Sequence, residues 1–436
     1  MSAIWKPYAP STSQPWGWDR AKHLHRRAAV GPTWSELTRD AADGPENSVA
    51  RILNGTSRVD GQRDDFEEMS QILGDAAAGS DDENRLKAWW LFRILFTPDP
   101  LREKLALLWH NHFATSNLKV QDLLLMKQQN ELFRQYATAK FSALVLGVLR
   151  DPAMLYWLDA NSNRKGRPNE NLARELMELF TLGVGAYDEN DVQEAARALT
   201  GWTVKRADVK FRPDRHDDEE KTILGQTARY DADSLAQLLL YHPAASRRLA
   251  WRLCELFMGE GVVSEAALDE LAEGMRRREL DIGWAVETIL RSELFFSDKN
   301  IASRVSSPVE FVVGAVRSLQ LYEKPPSTLI LAEWCTRLGQ DLFYPPNVGG
   351  WQGGRNWLTT RTIIGRSNFA AALFSGERRA PAEPPALESL ARELGVEHFE
   401  KLLLSRPCGK SDGAKKPTDL PNRVAQLLSC PDALVC

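Results

Sequence analysis

Apolar residues recur along most of this chain with the spacing of an α-helix, and alternating strand patterns are rare. Three helical stripes are Leu101, Leu105, Leu108 and His112; Leu172, Leu176 and Leu179; and Leu249, Leu253, Leu256 and Phe257. Residues four apart lie on one face of a helix, so each set predicts an amphipathic helix with one buried face.

Short polar motifs mark where these helices begin. A hydroxyl residue followed three positions later by a carboxylate occurs at Thr33, Ser80 and Ser307, which is the pattern of a capping box. Asp151 and His242 each precede a proline, a residue favoured in the first turn of a helix. We therefore expect helices to start at all five positions.

The pattern as a whole predicts a mainly all-α fold, a large irregular helical bundle with one small β-hairpin around 203–230. Residues 1–18 are expected to form an N-terminal arm, and residues 19–375 the main helical domain. Residues 376–436 are expected to hold a Pro-rich linker and short C-terminal helices that dock back on the main domain.

Composition limits the classes of partner. The chain has 436 residues, 43% of them hydrophobic, and a formal net charge of −4, which gives no electrostatic case for binding nucleic acid. No stretch has the roughly 18 apolar residues that cross a bilayer, the first residues do not resemble a secretory signal, and the five cysteines are scattered. We expect a cytoplasmic protein that contacts neither nucleic acid nor membrane.

Two histidines form the first candidate site. His110 and His112 lie in the string WHNHF, and residues two apart on a helix point about 200° away from each other. They can share a site only if the helix ends between them. They are either metal ligands or an interior pair that orients a helix end.

A second candidate site lies on an acidic helix. If that helix begins at Pro168, then Asn171, Glu175 and Glu178 share one stripe at the border of an apolar face. Two carboxylates one turn apart near a core need an arginine, a shared proton or a cation. Arg174 and Arg197 are candidates to neutralise them in a purely structural arrangement.

Two loops complete the set of candidates. His216 and Asp217 lie in the charged loop of the expected hairpin, where they either bind a ligand or are solvated. Trp351, Arg355 and Trp357 lie in a loop rich in glycine and proline, which either walls a ligand cleft or plugs the helical bundle.

Several long strings, among them REKLALLWHNHFATS, NENLARELMELFTLGVGAY and PPNVGGWQGGRNWL, resemble the bacterial family called domain of unknown function 1800. The resemblance covers residues 19–436. It implies no settled activity, and it implies a partner protein similar to alkaline phosphatases and sulfatases. Many members resemble exported proteins with a leader sequence. Members tend to have a His-Asp-Gly loop, whereas this chain has Asp218 after His216 and Asp217.

The leading hypothesis from the sequence is a metal-assisted enzyme, hydrolytic or oxidative. His110, His112, Glu175 and Glu178 would bind a divalent metal such as Fe, Mn or Zn. Glu175 or Glu178 would act as the catalytic general base. The alternative is a non-catalytic helical scaffold or accessory protein for a partner enzyme.

Overall fold

The fold is mainly α-helical, as predicted, and its strands form only two small two-stranded sheets in the described ranges. The computed structural model describes residues 4–59, 65–321, 327–373, 375, 398–405 and 420–436. The Pro-rich stretch 378–390, predicted to be a linker, lies outside the described residues.

The helices in these ranges are as follows. The first ten are α1 (Trp18–Ala28), α2 (Trp34–Asp43), α3 (Pro45–Leu53), α4 (Phe66–Ala78), α5 (Glu83–Phe96), α6 (Pro100–His112), α7 (Asn117–Val120), α8 (Leu123–Gln135), α9 (Phe141–Val148) and α10 (Pro152–Trp157). Next come α11 (Asn171–Glu175), a π-helical turn (Leu176–Thr181) and α12 (Glu189–Ala198). The remainder are α13 (Ala232–Tyr241), α14 (Pro243–Phe257), α15 (Glu265–Arg276), α16 (Ile282–Arg291), α17 (Pro308–Ser318), α18 (Thr328–Arg337), α19 (Thr360–Ala372), α20 (His398–Leu403) and α21 (Leu420–Leu428).

Four of the five predicted helix starts are confirmed. Thr33 and Ser307 form complete capping boxes, and Asp151 and His242 cap helices that begin with proline. The prediction at Ser80 is wrong, because its hydroxyl donates to the carbonyl of Ala77 and α5 is capped by Asp82 instead.

The strands correct the prediction of a single hairpin. Strand β1 (Trp202–Lys205) pairs with β2 (Asp208–Phe211), and β3 (Lys221–Ile223) pairs with β4 (Gln226–Ala228), both antiparallel. Each predicted strand segment therefore folds back on itself through a tight turn, with Arg206 and Leu224 at positive φ. The charged loop joins two hairpins and is not the turn of one.

One continuous hydrophobic core runs from Trp5 to Leu434 and contains the predicted stripe of α6. Leu101, Leu105 and Leu108 are all buried, as their spacing predicted. The helix α6 is almost fully enclosed, with buried charged residues such as Glu103 as well as apolar ones. The side chains of its last turn consequently contact the segments that pack against the end of the helix.

The ends of the described chain contact the body. The indole of Trp5 donates to the carbonyl of Ala267, and Tyr8 bonds through its backbone to Arg291. At the other end Val435 pairs with Val305 in an isolated antiparallel bridge. The division into an arm, a main domain and a C-terminal unit stays a prediction.

No helix in the described part of the chain combines the length and the apolar character that a bilayer span requires.

Candidate functional site

The imidazole of His110 is enclosed by aromatic rings. Its centroid lies 5.2 Å from that of Trp90 and 5.5 Å from that of Phe343. Trp351 covers it at 5.6 Å. Burial lowers the pKa of His110 to about 3, and its Nε2 has no hydrogen-bond partner among the described residues. The ring is therefore neutral and supports the tryptophan that rests on it.

His112 ties the end of α6 to the acidic segment. Its Nε2 lies 3.0 Å from the carbonyl oxygen of Phe180, to which it donates in the Nε2–H tautomer. Burial, with the guanidinium groups of Arg252 and Arg248, holds the pKa of His112 well below its ordinary value. This imidazole is also neutral, and it lies close to two arginines.

The acidic segment has a different register from the predicted one. The helix begins at Asn171 and not at Pro168, because the backbone of residues 164–167 makes a turn and the side chain of Asn169 accepts from the N–H of Asn171. A π-helical turn then starts at Leu176. Its wider turn breaks the regular spacing on which the predicted polar stripe depended.

The two carboxylates of this segment are half-buried near each other. Burial and the charge of Glu178 raise the pKa of Glu175, while Glu178 accepts a hydrogen bond of 3.1 Å from the hydroxyl of Tyr187. Arg174 and Arg197 do not pair with them, because each arginine binds other carboxylates. The catalytic roles of the two glutamates stay a prediction.

The predicted metal-ligand set is not assembled. Within the described ranges, no three side chains of His, Cys, Asp or Glu stand close enough to hold one ion. The helix α6 runs through to His112 without ending after His110, so the two imidazoles diverge. His112 reaches the backbone of the acidic segment, and neither Glu175 nor Glu178 joins it in a ligand group.

Three other predicted binding residues have structural partners. Asp217 pairs with Arg197 at 2.8 Å, and the Nδ1 of His216 lies 3.0 Å from the carbonyl oxygen of Thr200. Asn171 is exposed and donates to an aspartate carboxylate at 3.2 Å. Asp217 and His216 fasten the charged loop to the end of α12. None of the three residues lines the cleft between α14 and the loop rich in glycine and tryptophan.

The loop rich in glycine and tryptophan is clamped to α6 by Asn111. The Oδ1 of Asn111 accepts from the backbone N–H of Trp351 at 2.6 Å, and its Nδ2 donates to the carbonyl of Trp351 at 3.2 Å. Gly350 has φ +76°, and a Cβ there would lie 2.2 Å from the same Oδ1. Trp357 is buried beside Trp351, whereas Arg355 is exposed and pairs with a glutamate.

Three adjoining cavities separate this loop from α14, and we call them together the Gly–Trp cleft. They have volumes of about 100 Å³ (the small cavity), 310 Å³ (the middle cavity) and 720 Å³ (the large cavity). Glu255 and Gly353 line all three. Trp351 lines the small and middle cavities, and Trp251 lines the middle and large ones. The loop therefore forms one wall of this cleft, and a ligand in the cleft stays a prediction.

Two arginines one turn apart on α14 face the middle cavity. Arg248 donates its Nε–H to the carbonyl of Leu179 at 2.9 Å and makes no ion pair with a described residue. Arg252 pairs with Glu255 at 2.7 Å, and its buried Nε–H has no acceptor in the described chain. Burial and the neighbouring charge of Arg252 lower the pKa of Arg248. The middle cavity thus holds more positive than negative charge.

Three cations (Lys104, Arg252 and Arg304) and two carboxylates (Glu255 and Glu310) line the small cavity. Lys104 and Arg304 both pair with the carboxylate of Glu310. Burial alone would raise the pKa of Glu310, but these two cations hold it far below its ordinary range. Each cation of the small cavity therefore has a carboxylate partner, whereas Arg248 in the middle cavity pairs with no carboxylate of the described residues.

Asn111, Arg248, Arg252 and Trp251 were not among the candidate residues predicted from the sequence. A usable signal was present in the run RRLAWRLCELF, where two arginines four apart flank a tryptophan on an otherwise amphipathic helix. Asn111 gave no such signal, since its partner Trp351 is 240 positions away.

A comparison with protein families decides the classification. The family described as protein of unknown function (DUF1800) matches residues 23–433. The chain belongs to the DUF1800 family. No curated protein and no solved structure matches it. In this DUF1800 protein the cleft brings Arg248 and Arg252 together beside Trp251.

Proposed function

We propose that this protein binds a small anionic ligand, bearing a phosphate, sulfate or carboxylate group, in the middle cavity of the Gly–Trp cleft. The observation that carries the proposal is the pair Arg248 and Arg252, of which only Arg252 has a carboxylate partner. Arginine presents a planar set of donors that suits oxyanions.

The free protein carries an electrostatic cost in this cavity that an anion would relieve. Two like charges one turn apart repel each other, and partial burial strengthens the repulsion because the surroundings are less polarisable than water. The lowered pKa of Arg248 reflects both effects. A bound oxyanion would supply the missing negative charge and an acceptor for the donors.

The remaining walls suit the recognition of an organic anion. Asn356 and Gln352 line the middle cavity with amide groups, and Trp251 contributes an indole that is 43% exposed. An aromatic surface with a few polar groups is typical of small-molecule sites. The clamp of Asn111 on Trp351 holds one wall in place before a ligand arrives.

Calorimetric titration with inorganic phosphate tests this proposal. Binding should be saturable and should weaken with added salt, and Arg248→Met and Arg252→Met should each lose about tenfold or more in affinity. Arg247→Met is the matched control, because Arg247 belongs to the same helix but pairs with Glu265 and Asp269 on the exposed side. Equal affinities in all four proteins, or no binding to the wild type, would refute the proposal.

A second candidate function is acid–base catalysis on the bound anion. It is favoured by the hydrogen bond from Arg248 to the carbonyl of Leu179, the residue after Glu178, and by the raised pKa of Glu175. Hydrolysis of 4-nitrophenyl phosphate, sulfate and acetate would be followed over a range of pH. Glu175→Gln should abolish turnover while leaving phosphate affinity unchanged; turnover that persists in this variant would exclude Glu175 as the catalytic acid or base.

A further inference from the structure

The large cavity differs in chemistry from the middle cavity that it adjoins. Apolar side chains from three elements line it: Met258 follows α14, Leu268 belongs to α15, and Leu358 ends the glycine–tryptophan loop. Val263, between α14 and α15, adds a half-buried surface. Its volume of about 720 Å³ is in the range of cavities that enclose an organic molecule.

Charged groups around the large cavity largely satisfy one another. Arg355 pairs with Glu260 at 3.0 Å, and both side chains are mostly exposed. Glu265 pairs with Arg247 outside the cavity. The arginine without a carboxylate partner, Arg248, therefore lies in the middle cavity, next to the apolar side chains of the large one.

The middle and large cavities adjoin each other along shared walls. Trp251, Glu255, Gly353 and Asn356 line both of them, so a ligand held at the arginines can extend past the indole of Trp251. A ligand that fills this space needs an anionic end and an apolar body. A bare inorganic anion would leave the larger part of the cleft unused.

We infer that the ligand of the Gly–Trp cleft is an anionic amphiphile, with its oxyanion at Arg248 and Arg252 and an alkyl or similar apolar body in the large cavity. This inference rests on the proposed anion site and adds the chemical class of the ligand. Each methylene that enters an apolar cavity strengthens binding by about fourfold. Affinity should consequently rise with chain length until the cavity is full.

Calorimetric titration of the full chain with inorganic, butyl, hexyl and octyl phosphate, below their micellar concentrations, tests the inference. Octyl phosphate, with four more methylenes, should bind roughly 250-fold more tightly than butyl phosphate. Octyltrimethylammonium has the same chain with the opposite charge and should bind at least tenfold more weakly than octyl phosphate. Equal affinity for all the phosphates would overturn this inference while leaving the anion site intact, whereas absence of phosphate binding would refute the anion site itself.

Variants at two adjacent valines localise the apolar body. Val263→Asp should weaken octyl phosphate binding about tenfold or more and leave inorganic phosphate binding unchanged. Val262 is half-buried as well but does not line the cavity, so Val262→Asp is the control and should change neither affinity. If Val263→Asp does not fold, Val263→Thr is the substitute, because it preserves the side-chain shape. It should give a smaller loss of affinity for octyl phosphate. Unchanged octyl phosphate affinity in a folded Val263 variant would overturn the assignment to the large cavity.

Discussion

The carboxyl group that caps α10 should make the fold less stable as the pH rises from about 4 to 7. Asp151 is 3% exposed, and its Oδ2 accepts from the N–H of Met154 at 2.7 Å and from the Nε2 of Gln129 at 2.6 Å. Burial raises the pKa of Asp151 to about 7, although both hydrogen bonds act in the opposite direction. The buried Oε1 of Gln129 has no partner among the described residues.

The expected size and sign follow from proton binding. Below pH 3.8 both the folded and the unfolded chain hold this proton, so burial of the carboxyl has no ionic cost. As the pH rises towards 7 the unfolded chain ionises first, and the free energy of unfolding falls. The difference between a pKa of about 7 and the ordinary 3.8 corresponds to about 4 kcal/mol, fully lost above pH 7.

Asp151→Asn should remove this loss. Asparagine caps helices as well as aspartate does, so the N–H of Met154 keeps its acceptor. A half-turn of the Gln129 amide would also let the new amide donate to Oε1. The variant should therefore match the wild type near pH 4 and exceed it by up to about 4 kcal/mol at pH 8.5.

Urea unfolding followed by circular dichroism at pH 4, 6, 7 and 8.5 measures this effect. Asp122→Asn is the control, since Asp122 caps α8 with a hydrogen bond of 3.1 Å at a half-buried position. If Asp151→Asn is less stable than the wild type by a constant amount at every pH, the carboxyl has no burial cost and the reasoning is refuted.

Three further predictions concern the clamp and the core. Gly350→Ala should lower the free energy of unfolding, measured in urea, by about 2 kcal/mol or more, because Gly350 has a positive φ and its new Cβ would meet Asn111. Gly353→Ala is the control and should change this free energy little, because a Cβ there meets no atom within 4 Å. Asn111→Asp should lose the donor to the loop and expose Trp351 to acrylamide quenching; unchanged quenching would contradict the clamp. Burial favours protonation of Glu36, but Arg317, together with His25, Arg58 and the backbone N–H of Thr33, outweighs it and holds the pKa of Glu36 at about 2. The pair of Glu36 and Arg317 therefore stabilises the fold above pH 4.5, and this stabilisation is lost as the pH falls towards 2. Glu36→Gln should cost about 3–5 kcal/mol at pH 7, and a loss that is the same at pH 2 would refute the ionic origin.

Local chemistry was enough to predict much of the fold. The stripe of Leu101, Leu105 and Leu108 and the caps at Thr33 and Ser307 depend on residues within one or two helical turns. Such features are fixed by helical periodicity and by hydrogen bonds to the first turn. The sequence could therefore place them without knowledge of the tertiary contacts.

The candidate site depended on contacts between distant parts of the chain. His110 and His112 belonged to the predicted helix, but whether they faced carboxylates or aromatic rings was decided by Phe343 and Phe180. The π-helical turn at Leu176 also changed the register of the acidic residues, and hydrophobic spacing does not signal such a turn.

The most direct measurement of the central claim observes the two arginines themselves. In protein labelled with ¹⁵N-arginine, the Nε–H signals of Arg248 and Arg252 would be assigned by substitution with lysine and followed during titration with inorganic phosphate. Both signals should shift to saturation with one common dissociation constant, while the Nε–H signal of Arg247 stays in place. Small shifts that grow linearly and equally for all three would contradict an anion site in the Gly–Trp cleft.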